Sequence, residues 1–562
     1  MKPSAWWRRS CPLLVGLLVG ALWTFFIYDA GIRFSRDSTV FMSHALNMGV
    51  NGTFSVPVNR APLYIVLLGA FLWIEPLPGE AAALISGAAL TVVLTTLVLI
   101  LRRLMDDIIL VCLFLLVLVT WAGPLHVFTS AYTEQVMAAC LILNFYLVLR
   151  HLETGRLRYY ALAAACVAAA ALTRYAAYFL IAVFLAYTSA YCVHECRRKA
   201  ASARVVIRYL LLGSICWLPP AAYLVRNYCV ANRLHGNRQP ADISLSQNLG
   251  RLADVWTSDV SVLLTVLAIL APVGVALRFR GAPAGSKRRL CAYAALCATA
   301  CLVAYCALLL HATTRWVVDP INTRYLSPVY FYVVILAASG CGACFANPAP
   351  PSRGFVFARH WLVRCGVCAL PALVCVANMP GLHKSLASIT NRRFGPTGHQ
   401  HAGFNWSPTS AQIGAWLADA IKEQDMLHVT AMTDAVRPHV NRSILFRRRI
   451  LHDAGLNRFG TWDVRDFDYT LTALLDTRSG SIAYHNLPPL RKPADLTREL
   501  ADLMRRAEIQ TLYLLYDAAS RHTDSVFGSQ DLSGLSTEDV SLEAVANPAP
   551  YVVYKCNLRH AP

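Results

Sequence analysis

Residues 29–80 read DAGIRFSRDSTVFMSHALNMGVNGTFSVPVNRAPLYIVLLGAFLWIEPLPGE and follow the first hydrophobic run of the chain. Asp37 stands where an apolar helix has just ended and an amphipathic stretch begins. Arg60 precedes a proline and an aromatic-aliphatic run, RAPLYIVLLGAFLW. An acid and a cation held together at a membrane face suit chemistry on an anionic lipid head group. Within this loop, residues 38–49 and 61–73 are expected to form interfacial helices, the second ended by the proline-rich EPLPGE.

Outward from that loop the chain is apolar. Hydrophobic residues make up 56% of its 562 positions, and the mean hydropathy is +0.45, which excludes an ordinary soluble globular protein. Runs of about 17–25 apolar residues recur over the first 380 positions, long enough to cross the hydrocarbon core. Backbone groups in lipid must be satisfied within the segment, so the runs are expected to be helices. About eleven transmembrane helices are expected, at 11–28, 81–101, 108–121, 135–149, 159–172, 176–192, 207–224, 260–277, 291–310, 329–345 and 361–379. The first has the charged start of a signal peptide. Its apolar part is longer than a signal core and no small-x-small cleavage site follows, so it is read as an uncleaved span.

The net charge of +19 raises the question of nucleic acid. Most of the Lys and Arg excess, however, falls in the short segments this topology assigns to the cytoplasm, such as RFRGAPAGSKRR. That is the positive-inside pattern, which orients a membrane protein and does not recruit DNA or RNA. Of eighteen cysteines, all but Cys229 and Cys556 lie in or beside apolar spans, so no disulfide framework is indicated.

Residues 1–380 are thus expected to form a transmembrane domain, and residues 381–562 an extracytoplasmic α/β domain. Strand candidates there are LHVTAM, SILFRR, SIAYHN, TLYLLY and YVVYKC, alternating with helical SAQIGAWLADAIK and PADLTRELADLMRRA. No phosphate-cradling glycine motif, nucleophile elbow or metal-ligand cluster stands out in it. The two CxxC pairs, Cys341/Cys344 and Cys365/Cys368, lie in or at the ends of apolar spans, in a chain that uses cysteine freely as a core residue. No metal and no cofactor is expected. Asn51, Asn405 and Asn441 match the glycosylation sequon, which is frequent by chance.

Several charged residues fall at the same expected membrane face. Asp37 is either a helix N-cap or a general base that takes a proton from an acceptor hydroxyl attacking a sugar carbon. Glu134, at the mouth of the fourth span in AYTEQ, either complements a helix N-terminus or positions Asp37, an arginine or the substrate. Arg60, Arg174 in LTRYAAY, Arg226 in LVRNY and Arg324 in NTRYLSP complete the set. One such arginine can snorkel to the lipid surface, but positive charge is depleted on the outer face, and several together ask for anionic partners. Guanidinium groups match phosphate oxygens bidentately.

An Asp early in the first outer loop, an Arg-x-Pro-Leu element before a tyrosine (RAPLY), then TEQ, TRY and RYLSP in that order form a pattern over residues 29–330. It resembles the GT-C superfamily of membrane glycosyltransferases, in the branch with the lipid A aminoarabinose transferase and the protein O-mannosyltransferases. The resemblance implies an inverting glycosyltransferase that moves a sugar from a polyprenyl-phosphate donor to a lipid, polysaccharide or protein acceptor. It implies a bacterial inner membrane enzyme with its active site facing the periplasm. Asp37 takes the place of the base and Glu134 that of the second acid, with Arg60, Arg174 and Arg324 as phosphate contacts. Three positions depart from the pattern: Ser38 follows Asp37 where a second acid is usual, Arg60-Ala61 replaces Lys-Pro, and Glu134 replaces Asp.

The rival reading is a multi-span secondary transporter of an anionic solute or lipid-linked substrate. Transporters are usually built from internal repeats and carry ionisable groups at the midplane. This sequence shows no repeat and keeps its charge at the faces. A sensor whose outer domain does the work would not need so many crossings.

Overall fold

A computed structural model describes most of residues 5–30, 60–74, 78–197, 203–232, 243–279, 286–316 and 321–345, a few positions between 32 and 56, parts of 368–383, and six strands between 426 and 558. The chain divides into two units. One comprises residues 1–32, 58–64 and 83–390, the other residues 33–57, 65–82 and 391–562.

The first unit is helical. Its elements are α1 (Ala5–Ala30), α2 (Leu63–Phe71), α3 (Pro78–Leu104), α4 (Ile108–Thr120), α5 (Ala122–Phe128), α6 (Glu134–Thr154) and α7 (Leu157–Thr173), with α2 and α3 straddling the division. A 3-10 turn, Tyr175–Ala177, leads to α8 (Tyr178–Arg197), α9 (Ala203–Gly213), α10 (Leu218–Ala231), α11 (Leu245–Asp259) and α12 (Val262–Phe279). The series closes with α13 (Lys287–Arg315), α14 (Thr323–Leu326) and α15 (Tyr330–Phe345). Ten of the expected spans coincide with these helices, and the last, at 361–379, overlaps the helix Pro371–Pro380. By length and apolarity alone, five of the described helices can cross a membrane, or seven if each bent pair counts as one span. The bent pairs are α4 with α5, at 63°, and α9 with α10, at 45°. The protein is an integral membrane protein.

Helix α15 lies at the centre, flanked by α12 and α13, with Val333, Val334, Ile335 and Ala338 fully buried. Helix α6 packs along the alanine-rich α7, and buried Asn144 donates from Nδ2 to the Ala163 carbonyl at 3.0 Å. Small residues allow this approach, because without a hydrophobic drive between helices in lipid, close van der Waals contact holds them together. Helix α1 lies close against α3. A Cβ on Gly16 would lie 2.9 Å from the Cα of Thr95, and one on Gly20 would lie 2.8 Å from the Cα of Thr91. Gly87 of α3 meets Thr24 of α1 in the same way. The Thr24 and Thr91 hydroxyls turn back onto the carbonyls of Gly20 and Gly87, at 2.7 and 2.8 Å, so each of these two hydroxyls is satisfied within its own helix.

Besides the one-turn α14, two helices were not expected. Helix α11 occupies what reads as an outer loop. Ser244 caps it by accepting from the Gln247 amide at 3.2 Å, while Gln247 Oε1 accepts from the Ser244 amide at 3.1 Å. Helix α5 fills the stretch after span three. The expected interfacial helix at 61–73 appears as α2, whereas that at 38–49 lies largely outside the described residues.

The second unit contains a six-stranded sheet: β1 (Met426–Val429), β2 (Leu471–Asp476), β3 (Ser481–Asn486), β4 (Thr511–Asp517), β5 (Val540–Ala546) and β6 (Tyr551–Leu558). Its order is β3-β2-β1-β4-β6-β5, with β1 and β4 parallel and the other pairs antiparallel. Strands β1, β3, β4 and β6 fall on expected runs, while β2 and β5 were not anticipated. SILFRR and both expected helices of this region lie outside the described residues, apart from isolated positions.

Candidate functional site

The site is assembled where three helix ends meet. Gln135, fully buried, donates from Nε2 to the carbonyls of Val127, at 2.8 Å, and Ser130. This ties the end of α5 to the first turn of α6 and so fixes Glu134. Glu134 is completely buried. Its Oε1 accepts from Arg324 Nε and lies 2.5 Å from Arg174 Nη1, and its Oε2 accepts from the Thr133 hydroxyl at 3.0 Å. Arg174 Nη1 also donates to Thr133 Oγ1 at 3.2 Å.

Each arginine has its own seat. Helix α7 ends at Thr173, and the amide of Arg174 closes its last turn on Ala170 O at 3.0 Å. Arg174 itself is extended, at φ −157° and ψ 133°, which turns the chain into the Tyr175–Ala177 turn. Arg324 lies in the one-turn α14, held by the hydroxyl of Ser327 on its carbonyl at 3.1 Å and by the phenol of Tyr305 on the carbonyl of Tyr325. Aromatic rings complete the cage. The Arg324 guanidinium carbon is 4.2 Å from the Tyr132 ring centre, and that of Arg174 is 5.1 Å from the Tyr325 ring centre. A buried carboxylate is stable only when paired and hydrogen-bonded, and here both oxygens are engaged. The three charged side chains together keep one positive charge in excess, the composition of an anion-binding site.

A second group adjoins the first through the peptide between Arg174 and Tyr175. The phenols of Tyr175 and Tyr223 both donate to the main-chain carbonyl of Arg60, at 3.3 and 2.9 Å. Fully buried Asn227 donates to the Tyr175 oxygen at 3.1 Å and accepts from Arg226 Nη1 at 3.1 Å. The Arg226 guanidinium lies 5.7 Å from the Tyr223 ring centre. The turn before α2 is thereby held by the turn after α7 and by α10. Tyr64, buried at the start of α2, is within electrostatic range of Glu134.

The structure therefore joins Glu134, Arg174 and Arg324 directly, and brings Arg60 and Arg226 into the adjoining network. Asp37 lies outside the described residues, as do the side chains of Cys344 and Cys365. Sequence reading did not find Tyr132, Tyr175, Tyr223 or Asn227. The signal for Tyr132, Tyr175 and Asn227 was only adjacency to the Thr-Glu pair and the selected arginines, as in AYTEQ, TRY and RNY, while Tyr223 stands three residues before Arg226, about one helical turn away. Among the described residues no group of three or more His, Cys, Asp or Glu could hold a metal ion. Close by, Trp23, Leu94, Leu118, Leu125, Phe128 and Phe331 line an almost wholly apolar crevice to which α5 and the start of α6 also contribute.

No family model matches the sequence, and no curated protein sequence matches it. Solved structures do. ArnT from Cupriavidus metallidurans in the apo state superposes with a TM-score of 0.57 at 13% identity, covering 96% of this chain and 97% of that one. The same protein bound to undecaprenyl phosphate gives 0.55 at 12% identity, covering 98% and 99%. Arabinofuranosyltransferase AftD from mycobacteria gives 0.50 at 14% identity, covering 98% of this chain and 42% of that one. These are membrane glycosyltransferases of one superfamily, and the chain has a GT-C-like fold.

Proposed function

We propose that this chain is a glycosyltransferase that moves a sugar from a polyprenyl-phosphate donor to an acceptor hydroxyl. The observation that carries the reading is the buried Glu134 gathering Arg174 and Arg324 at one end of the helices, on a fold shared with ArnT, which was solved with undecaprenyl phosphate. In this reading Asp37 takes the acceptor proton, the hydroxyl oxygen attacks the anomeric carbon, and the bond from that carbon to the phosphate oxygen breaks with inversion. The departing lipid phosphate gains charge as it leaves, and Arg174 and Arg324, with Arg60 and Arg226, stabilise that charge. Glu134 serves as a positioning residue. Both its oxygens already accept from neighbours, so it orients the arginines and does not exchange a proton. The apolar crevice suits a segment of prenyl chain. The site faces the periplasm of a bacterial inner membrane, and residues 381–562 form the extracytoplasmic α/β domain that helps orient the acceptor.

The test is to incubate purified wild type and Asp37→Asn with radiolabelled polyprenyl-phosphate sugars and membrane extract. Label transfer by wild type and its loss in the variant is the expected result. Equal transfer by both removes Asp37 as the base. Solute uptake into proteoliposomes without label transfer replaces the enzyme with a transporter.

A further inference from the structure

Helix α6 carries Glu134 at its first position and Arg150 and Glu153 in its last turns. At 1.5 Å per residue those ends are about 24–29 Å apart, close to the thickness of the hydrocarbon core. The far end holds a second arginine cluster that the reading above does not use. Glu153 accepts from Arg103 of α3 and lies 2.8 Å from Arg150 Nη1. The phenol oxygen of Tyr159 accepts from Arg150 Nη2 at 3.4 Å and from Arg158 Nη2 at 3.2 Å. Both guanidiniums also lie over the Tyr159 ring, at 5.1 and 4.9 Å from its centre, and Arg103 lies over Tyr146 at 5.6 Å.

Two guanidiniums, those of Arg103 and Arg150, thus meet one carboxylate, and those of Arg150 and Arg158 converge on one neutral oxygen. The negative end of the α6 dipole explains a cation at Arg150. It does not explain why Arg158, from the next helix, is aimed at the same phenol. Ring stacking fixes the direction of each fork, which is the preorganisation that recognises the paired oxygens of a phosphate. The cluster is open to the surroundings, with the Arg103, Arg150 and Glu153 side chains 27%, 22% and 23% exposed. One turn further along α7 from Arg158, on the same face, stands Leu162, 53% exposed. Polar donors at the helix end and bare hydrocarbon one turn deeper match a head group followed by an acyl chain.

We propose that Arg103, Arg150 and Arg158, arranged around Tyr159, bind the phosphate of an anionic phospholipid in the leaflet opposite the Glu134 site. The proposal does not depend on the glycosyltransferase reading. Its test is native mass spectrometry of the detergent-purified full chain with phosphatidylglycerol or phosphatidylcholine, under conditions in which bound lipid survives release from the micelle. Wild type is expected to retain phosphatidylglycerol preferentially, and Arg150→Gln/Arg158→Gln to lower that preference about tenfold. Tyr159→Leu keeps every charge but removes the surface that aligns the forks, and it is expected to lower the preference as well. Arg204→Gln/Arg208→Gln, two exposed arginines of α9 outside the cluster, is the charge-matched control and is expected to keep it. An equal fall in the control, or full retention in Tyr159→Leu, means that net charge alone attracts the lipid and overturns the site. Competition by inorganic phosphate with no preference between the two lipids identifies a free-phosphate site and overturns the lipid assignment. If the double arginine variant fails to fold, Tyr159→Leu against the control decides the matter.

Discussion

Replacing Glu134 by glutamine keeps shape and an acceptor oxygen but removes the charge that holds two arginines. Two ion-pair contacts become contacts between a guanidinium and a neutral amide oxygen, a loss of about 1 kcal/mol each. Arg174 and Arg324 would also repel each other without a carboxylate between them, tempered by solvent because their side chains are 17% and 13% exposed. The total is about 3 kcal/mol, at the lower end of the range for removing one partner of a buried ion pair. Thermal unfolding in detergent should register it as a clear fall in melting temperature. Arg324→Gln alone leaves Glu134 balanced by Arg174, so Glu134→Gln/Arg324→Gln should be less damaged than the sum of its parts, with a coupling of about 1.5 kcal/mol or more. In the transfer assay, a Glu134 that only orients arginines raises KM for the lipid donor and leaves the shape of the pH–rate profile intact. Additivity of the two substitutions within about 0.5 kcal/mol refutes the shared ion cluster. Loss of one limb of the pH profile in Glu134→Gln refutes positioning and makes Glu134 a proton carrier.

Tyr223→Phe removes the shorter of the two bonds to the Arg60 carbonyl, and a transfer assay should show kcat/KM falling roughly two- to tenfold, the equivalent of about 0.5–1.5 kcal/mol. Tyr175→Phe/Tyr223→Phe should lose more than either single change. Gly20→Leu forces α1 away from Thr91, and the overpacking should cost about 1–3 kcal/mol, read as a lower aggregation temperature in detergent. In the sheet, burial pushes the Cys556 thiol up to about 12, so a maleimide should label it at pH 8 only after unfolding. Because that folded value exceeds the ordinary one, the thiol contributes stability below about pH 8.5, and denaturation midpoints of the isolated Cys556 effect (wild type against Cys556→Ala) should converge as pH rises above it.

Much of the helical layout was legible because bilayer thickness dictates the length of an apolar run, as at 135–149 and 291–310. Helix α11 escaped because its amphipathic stretch carries little apolar length, although Ser244 and Gln247 stand at capping-box spacing. The Gly16–Gly20 spacing was equally readable as a small-xxx-small pattern, but only the partner threonines on α3 give it meaning. Glu134, Arg174 and Arg324 could each be selected by type and expected face. Their mutual contact could not, since positions 134 and 324 are joined by tertiary packing and not by any local period. Tyr175 and Tyr223 were invisible for a further reason: they bind a main-chain carbonyl, and every residue has one.

The glycine–threonine seam between α1 and α3 also bears on how the chain is made. Gly87 meets Thr24, so a stretch of more than sixty residues starts and finishes at one contact. Until α3 has been synthesised, α1 stands in the bilayer with its glycine groove open to whatever small-faced helix passes. A nascent chain stalled before residue 87 should therefore cross-link from Gly20 to foreign membrane helices, and lose those partners once its own threonines arrive.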